Sequence, residues 1–102
     1  MRPGGSARVE GTGVTLAFVR VTDDSRCPTG AACVWEGDAV VELRVESGDT
    51  AEVLHLHTSA AFARQADAMG VNVRLEDLAP RPGADAPVAP GDYIATLSAS
   101  VR

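Results

Sequence analysis

The chain has 102 residues, a formal net charge of −5 and nine scattered basic residues, so it offers no basic patch to neutralise phosphates, and nucleic acid is excluded as a partner. Hydrophobic residues make up 45% of it, but they fall in short segments, none long enough to cross a bilayer. One domain of this size buries about 60–70% of the surface its unfolded chain exposes, which makes for a thin core. All nine basic residues are Arg, beside abundant Ala, Gly, Pro and Val, as GC-rich bacterial codon usage would produce. That bias weakens any inference from a single Arg or Ala.

Taken in order, the apolar residues recur with period two, the signature of half-buried strands. A weak strand is expected at Ala7 to Glu10 and a stronger one at Val14 to Val21, with Val14, Leu16 and Phe18 on one face. Ala39 to Glu46 is the clearest: Ala39, Val41, Leu43 and Val45 share one side, Glu42, Arg44 and Glu46 the other. Ala51 to Thr58 turns Leu54 and Leu56 one way and Val53, His55 and His57 the other. "SAAFARQADAMG" at 59–70 breaks the alternation, placing Phe62, Ala66 and Met69 at i, i+4 and i+7 between a possible Ser59 N-cap and a Gly70 stop. This spacing predicts one short helix or helical loop, with Phe62 and Met69 facing the core. Val71, Val73 and Leu75 form a further strand, and Tyr93, Ala95, Leu97, Ala99 and Val101 the last. Between them "PRPGADAPVAPGD" at 80–92 reads as an exposed irregular crossing, whereas "GTG" and "SGDT" read as hairpin turns.

Six or seven short strands with turn signals between them predict an all-β chain, a small antiparallel sandwich of immunoglobulin-like type, forming a single domain over residues 1–102. Tyr93, entering the last strand after Pro-Gly-Asp, is placed like the corner tyrosine of such folds, whose hydroxyl ties back to backbone.

Chemistry concentrates in "TDDSRCPTGAACVWEGDA" at 22–39, which holds both cysteines and the single Trp. Five residues separate Cys27 from Cys33, so the pair is a redox centre, half of a zinc site or a clasp on a loop. The C-x-x-C spacing of fast thiol exchange is missing, and zinc would need a second ligand pair unless both histidines converge. The clasp is therefore expected, pinning a loop that contains Pro28 and Gly30. Trp35 is either a binding-surface aromatic or, as expected, packed over the bridge at one end of the core. Gly37 reads as a bulge or close-approach position. Asp23, Asp24 and Arg26 are expected to bond local backbone and to form an Arg–Asp pair rather than to hold a ligand.

"DSRCPTGAACVWEGDAVVEL", with "VRLEDLAPRP" and "PGDYIATLSASV" further on, resembles a family of small, mostly uncharacterised bacterial secreted proteins and lipoproteins that share D-S-R-C-P, a second Cys and W-x-G-x-A. The resemblance covers about residues 10 to 102 and rests on Asp24, Ser25, Arg26, Cys27, Pro28, Cys33, Trp35 and Gly37. It implies export, a β-sandwich and a Cys27–Cys33 bridge, and it implies no activity. Members of the family begin with a signal or lipidation sequence, whereas "MRPGGSARVEG" has no apolar core of that kind. Met1 is therefore expected to mark a trimmed or mis-set start.

The function expected is a non-catalytic extracytoplasmic module, periplasmic, lipid-anchored or extracellular, that recognises a protein or envelope component through loops or a sheet edge. No G-x-S-x-G frames a nucleophile, and no cofactor is expected. The alternative is a periplasmic copper- or zinc-binding protein, since "HLH" puts His55 and His57 on one strand face, where two imidazoles can offer nitrogens to a metal.

Overall fold

The computed structural model describes residues 1–83 and 87–102. The strands are β1 (Ser6–Arg8), β2 (Thr15–Asp24), β3 (Ala39–Ser47), β4 (Thr50–His57), β5 (Gln65–Ala68), β6 (Val71–Ala79) and β7 (Ile94–Val101), with a single 3₁₀ turn at Pro90–Asp92 among the described residues. They form two antiparallel sheets, β1-β2-β3-β4 and β5-β6-β7. Each strand lies beside its sequence neighbour, so the sandwich is two meanders in succession rather than interleaved Greek keys. No helix of the described residues is long and apolar enough to cross a membrane.

The expected alternation positions the core. Leu16 and Phe18 of β2, Val41, Leu43 and Val45 of β3 and Leu56 of β4 face Val71, Val73, Leu75 and Leu78 of β6 and Ala95 of β7, all of them buried. β2 carries two extra residues relative to β3, around Val19 and Thr22, so its register shifts twice before it reaches one end of the sandwich. Asp24 and the cysteine loop project from that end.

Segment 59–70 is not helical. Residues 58–64 form the crossing from one sheet to the other, closed by the Phe62 amide on the Ser59 carbonyl and the His57 amide on the Ala63 carbonyl. Gln65–Ala68 is a strand paired with β6. Met69 and Gly70 then make the two-residue hairpin to Val71, both at positive φ (53° and 77°), as a type I′ turn requires. The helical spacing was a coincidence of three roles: Phe62 lies in the crossing, half exposed; Ala66 faces inward on β5; Met69 packs on the core from a turn. Strand pairing with β6 satisfied a backbone that a helix would have satisfied internally.

The N-terminal residues join both sheets. Met1 exchanges two backbone hydrogen bonds with Ala95 of β7 (2.7 and 2.8 Å), and three residues on the Gly4 amide bonds the Phe18 carbonyl of β2.

Candidate functional site

The β2–β3 connection is a narrow ladder that opens into a closed loop. The Ser25 amide donates to the Asp38 carbonyl (2.7 Å), the Ser25 hydroxyl donates to that same carbonyl and accepts from the Asp38 amide, and the Cys27 amide bonds the Glu36 carbonyl. Gly37 sits between these rungs at φ 74°, and a Cβ there would lie 2.0 Å from the Ser25 carbonyl oxygen. The close approach inferred for Gly37 is thus met, and only glycine fits it. Beyond the ladder Cys27 and Cys33 are joined, with Cα atoms 6.0 Å apart. The Thr29 amide and hydroxyl both donate to the Pro82 carbonyl, which ties the loop to the chain leaving β6.

Beneath the loop lies a buried polar knot. Arg26 Nε and Nη2 both donate to the Asp24 carboxylate at 2.8 Å, Nη1 reaches the Leu78 carbonyl and Nη2 the Pro80 carbonyl at 2.9 Å. One guanidinium therefore fastens the first sheet to the second. Tyr93 donates its hydroxyl to Asp24 Oδ2 (2.9 Å), so the corner tyrosine ties to a side chain and not to backbone as expected. A carboxylate already held against Arg26 is a stronger acceptor than a neutral carbonyl. Burial acts to raise the Asp24 pKa, but the hydrogen bonds from Arg26 and Tyr93 and the guanidinium charge together hold it below the ordinary 3.8. Burial, followed by the hydrogen bond to Asp24 and its charge, pushes the Tyr93 phenol up to about 12. The expected Arg–Asp pair is this one; Asp23 lies exposed beside it.

Trp35 does not pack over the bridge as core. It is 50% exposed and meets the edge of Phe62, itself 51% exposed, with ring centroids 6.4 Å apart. Phe62 lies in turn 5.1 Å from the His57 ring. Val34 beside them projects fully into solvent. Residues 34 and 35 lie just after the disulfide-closed loop and outside the core.

The two histidines part company. His57 Nδ1 lies 2.5 Å from Asp38 Oδ2, while Asp38 Oδ1 accepts the Ser59 amide and the Ser59 hydroxyl donates to Glu36. His55 stands 3.6 Å from Glu42, which also pairs with Arg20. The described residues contain no group of three His, Cys, Asp or Glu able to hold a metal ion, so the metal reading of His55 and His57 lacks its remaining ligands. The Ser59 hydroxyl faces Glu36, not His57, so these groups do not form a nucleophile–base pair.

A cleft of about 330 Å³ opens beside the knot, lined among others by Arg26, Ser59, Arg64, Glu76, Asp77 and Arg81. Arg64 spends Nη1 and Nη2 on the carbonyls of Thr58, Leu75 and Glu76. Arg26 and Arg64, two of the residues lining the cleft, thus act as cross-links between segments. Glu36, Asp38, Ser59, Phe62 and Arg64 were not singled out from the sequence as a site. Their meeting follows from the β3–β4 register, which sets Val40 opposite His57 and thereby brings Asp38 to Ser59.

No protein-family model, curated protein or solved structure matches the chain.

Proposed function

We propose that the chain is an exported, non-catalytic interaction module whose contact surface is the Trp35–Phe62 pair, Trp35 just after the disulfide-closed loop and Phe62 on the crossing after β4, and that it engages a protein partner in the cell envelope. The single observation that carries this reading is two large aromatic rings, each about half exposed, on a frame held by the bridge, the Arg26 knot and the Gly37 ladder. Aromatic side chains on a fixed frame bury much area on binding and lose little conformational freedom, which is the usual make-up of an interface anchor. Export is supported by the bridge, since disulfides persist in oxidising compartments, and by the resemblance to secreted bacterial proteins and lipoproteins.

The test is cosedimentation of the purified chain with envelope fractions of the source cell, before and after protease treatment. Binding should be lost on proteolysis of the fractions and weakened at least about tenfold by Trp35→Ala and by Phe62→Ala, since central aromatic anchors cost on that scale. Val53→Ala, on an exposed sheet face, should leave it unchanged. Equal binding by Trp35→Ala and the parent chain overturns the reading.

A further inference from the structure

We infer that the Trp35–Phe62 surface receives an arginine side chain of the partner, its guanidinium laid against the rings and donating to the Glu36 carboxylate. This rests on the reading of the pair as a contact surface and adds what that surface recognises. The observation is the charge around the two exposed rings. The segments that carry them, residues 29–38 and 57–63, contain no Arg or Lys; apart from the bridged Cys33, their titratable side chains are Glu36, Asp38 and His57.

None of these groups leaves a positive charge at the rings. His57 is tied through Nδ1 to Asp38, and its ring stands 5.1 Å from that of Phe62. With the imidazole neutral the His57–Asp38 pair is negative, and with it protonated the pair is neutral. Glu36 is exposed, accepts the Ser59 hydroxyl at 2.6 Å and forms no ion pair among the described residues. Arg64 and Arg81 line the cleft that Glu36 also borders, together with Glu76 and Asp77, but neither pairs with Glu36: the Arg64 Nη atoms are held by the carbonyls of Thr58, Leu75 and Glu76. Asp23 adds a second exposed carboxylate without an ion pair among the described residues, and strand register sets it in one row with Val40 and His57 on the outer face of the sheet.

Glu36 selects the occupant. It follows Trp35 and is held by Ser59, three residues before Phe62, so a partner seated on the two rings also covers this carboxylate. An apolar or anionic group there would strip water from Glu36 and supply no partner, whereas a cation satisfies the carboxylate and is drawn to the negative faces of the rings. Among cations the guanidinium fits both needs at once: it is planar and weakly hydrated, stacks on an indole and donates in its plane to a carboxylate. Val34, fully exposed beside Trp35, offers apolar surface to the alkyl stem. The chain's net charge of −5 favours the approach of a basic partner as well.

The probe is a capped peptide of alternating Arg and Gly, titrated calorimetrically into the purified chain at low salt. It should bind with a Kd of about 1 mM or tighter, more tightly than the same peptide with Lys for Arg, and the version with Glu should not bind. Trp35→Ala and Glu36→Gln should each weaken binding at least about threefold; Gln keeps an acceptor for the Ser59 hydroxyl, so the fold is spared. Glu52→Gln makes the same change of net charge near the other end of β4 and should leave binding unchanged. Equal weakening by Glu36→Gln and Glu52→Gln would show attraction to overall charge alone and overturns the inference, as does a peptide that fails to bind. Envelope fractions separate this inference from the reading beneath it. Phenylglyoxal treatment of the fractions, which blocks guanidinium groups, and Glu36→Gln should each reduce cosedimentation. If Trp35→Ala abolishes binding while neither of these has an effect, the contact surface stands and the arginine is overturned; if Trp35→Ala has no effect, both fall.

Discussion

The Tyr93 hydroxyl and the Asp24 carboxylate, 69 positions apart in the chain, meet at 2.9 Å and lock the start of the last strand to the end of β2. Tyr93→Phe removes that bond while keeping the ring, and the cost expected is about 1.5–3 kcal/mol, as for a hydrogen bond to a charged group. The alkaline limb should respond as well. A phenol raised to about 12 in the folded chain contributes stability that is fully present below the unfolded value near 10 and lost as pH rises toward 12. Chemical denaturation between pH 9 and 12 should show this decline in the parent and a flatter profile in Tyr93→Phe.

Asp24→Asn leaves the Arg26 guanidinium, its side chain 7% exposed, without its carboxylate. Breaking a buried pair from one side costs about 3–5 kcal/mol, enough to unfold much of a marginal domain at room temperature. The acid limb follows from the lowered Asp24 pKa: the contribution is present above 3.8 and is lost as pH falls through the folded value. Urea titrations from pH 7 to pH 2 should find the parent losing this part of its stability and Asp24→Asn, stabilised by osmolyte if necessary, lacking it.

Gly37→Ala and Gly30→Ala separate backbone strain from steric collision. Both positions have positive φ, but a Cβ at Gly30 meets nothing within 4 Å, whereas at Gly37 it meets the Ser25 carbonyl at 2.0 Å. Thermal melts should place Gly30→Ala about 1–2 kcal/mol below the parent and Gly37→Ala at about 4 kcal/mol or more, with the β2–β3 ladder opened.

Closing the Cys27–Cys33 loop contributes about 2–2.5 kcal/mol in the chain-entropy description. The non-reduced protein should weigh two hydrogens less than the reduced chain, and reduction should lower the melting temperature together with a change in Trp35 fluorescence, since the indole sits two residues after the released bridge. Two free thiols and an unaltered melt would remove the main support for export.

Phe62→Ala should cost only about 1 kcal/mol, because its ring is half exposed; a fully buried Phe would lose 3–5. With Trp35→Ala in a double-mutant cycle, the edge-to-face contact should appear as a coupling of about 0.5–1.5 kcal/mol. A coupling near zero would mean that the two rings do not form one surface.

Alternation from residue 14 to 21, 39 to 46, 51 to 58 and 71 to 75 determined the strands and their buried faces, since a side-chain period of two admits one inward set per strand. The spacing of Cys27 and Cys33, and Gly37 two residues before a well-patterned strand, likewise marked a clasp and a close approach. Tertiary structure decided the rest. Residues 59–70 became a crossing, a strand and a hairpin because β6 offered its edge to Gln65–Ala68, a partner that local propensity cannot see. Trp35 stayed half exposed and met Phe62, a contact that only the crossing after β4 provides. Tyr93 found Asp24, and Asp38 found His57 and Ser59, because strand register brings distant positions together, and register is a property of paired strands that no single strand's pattern contains.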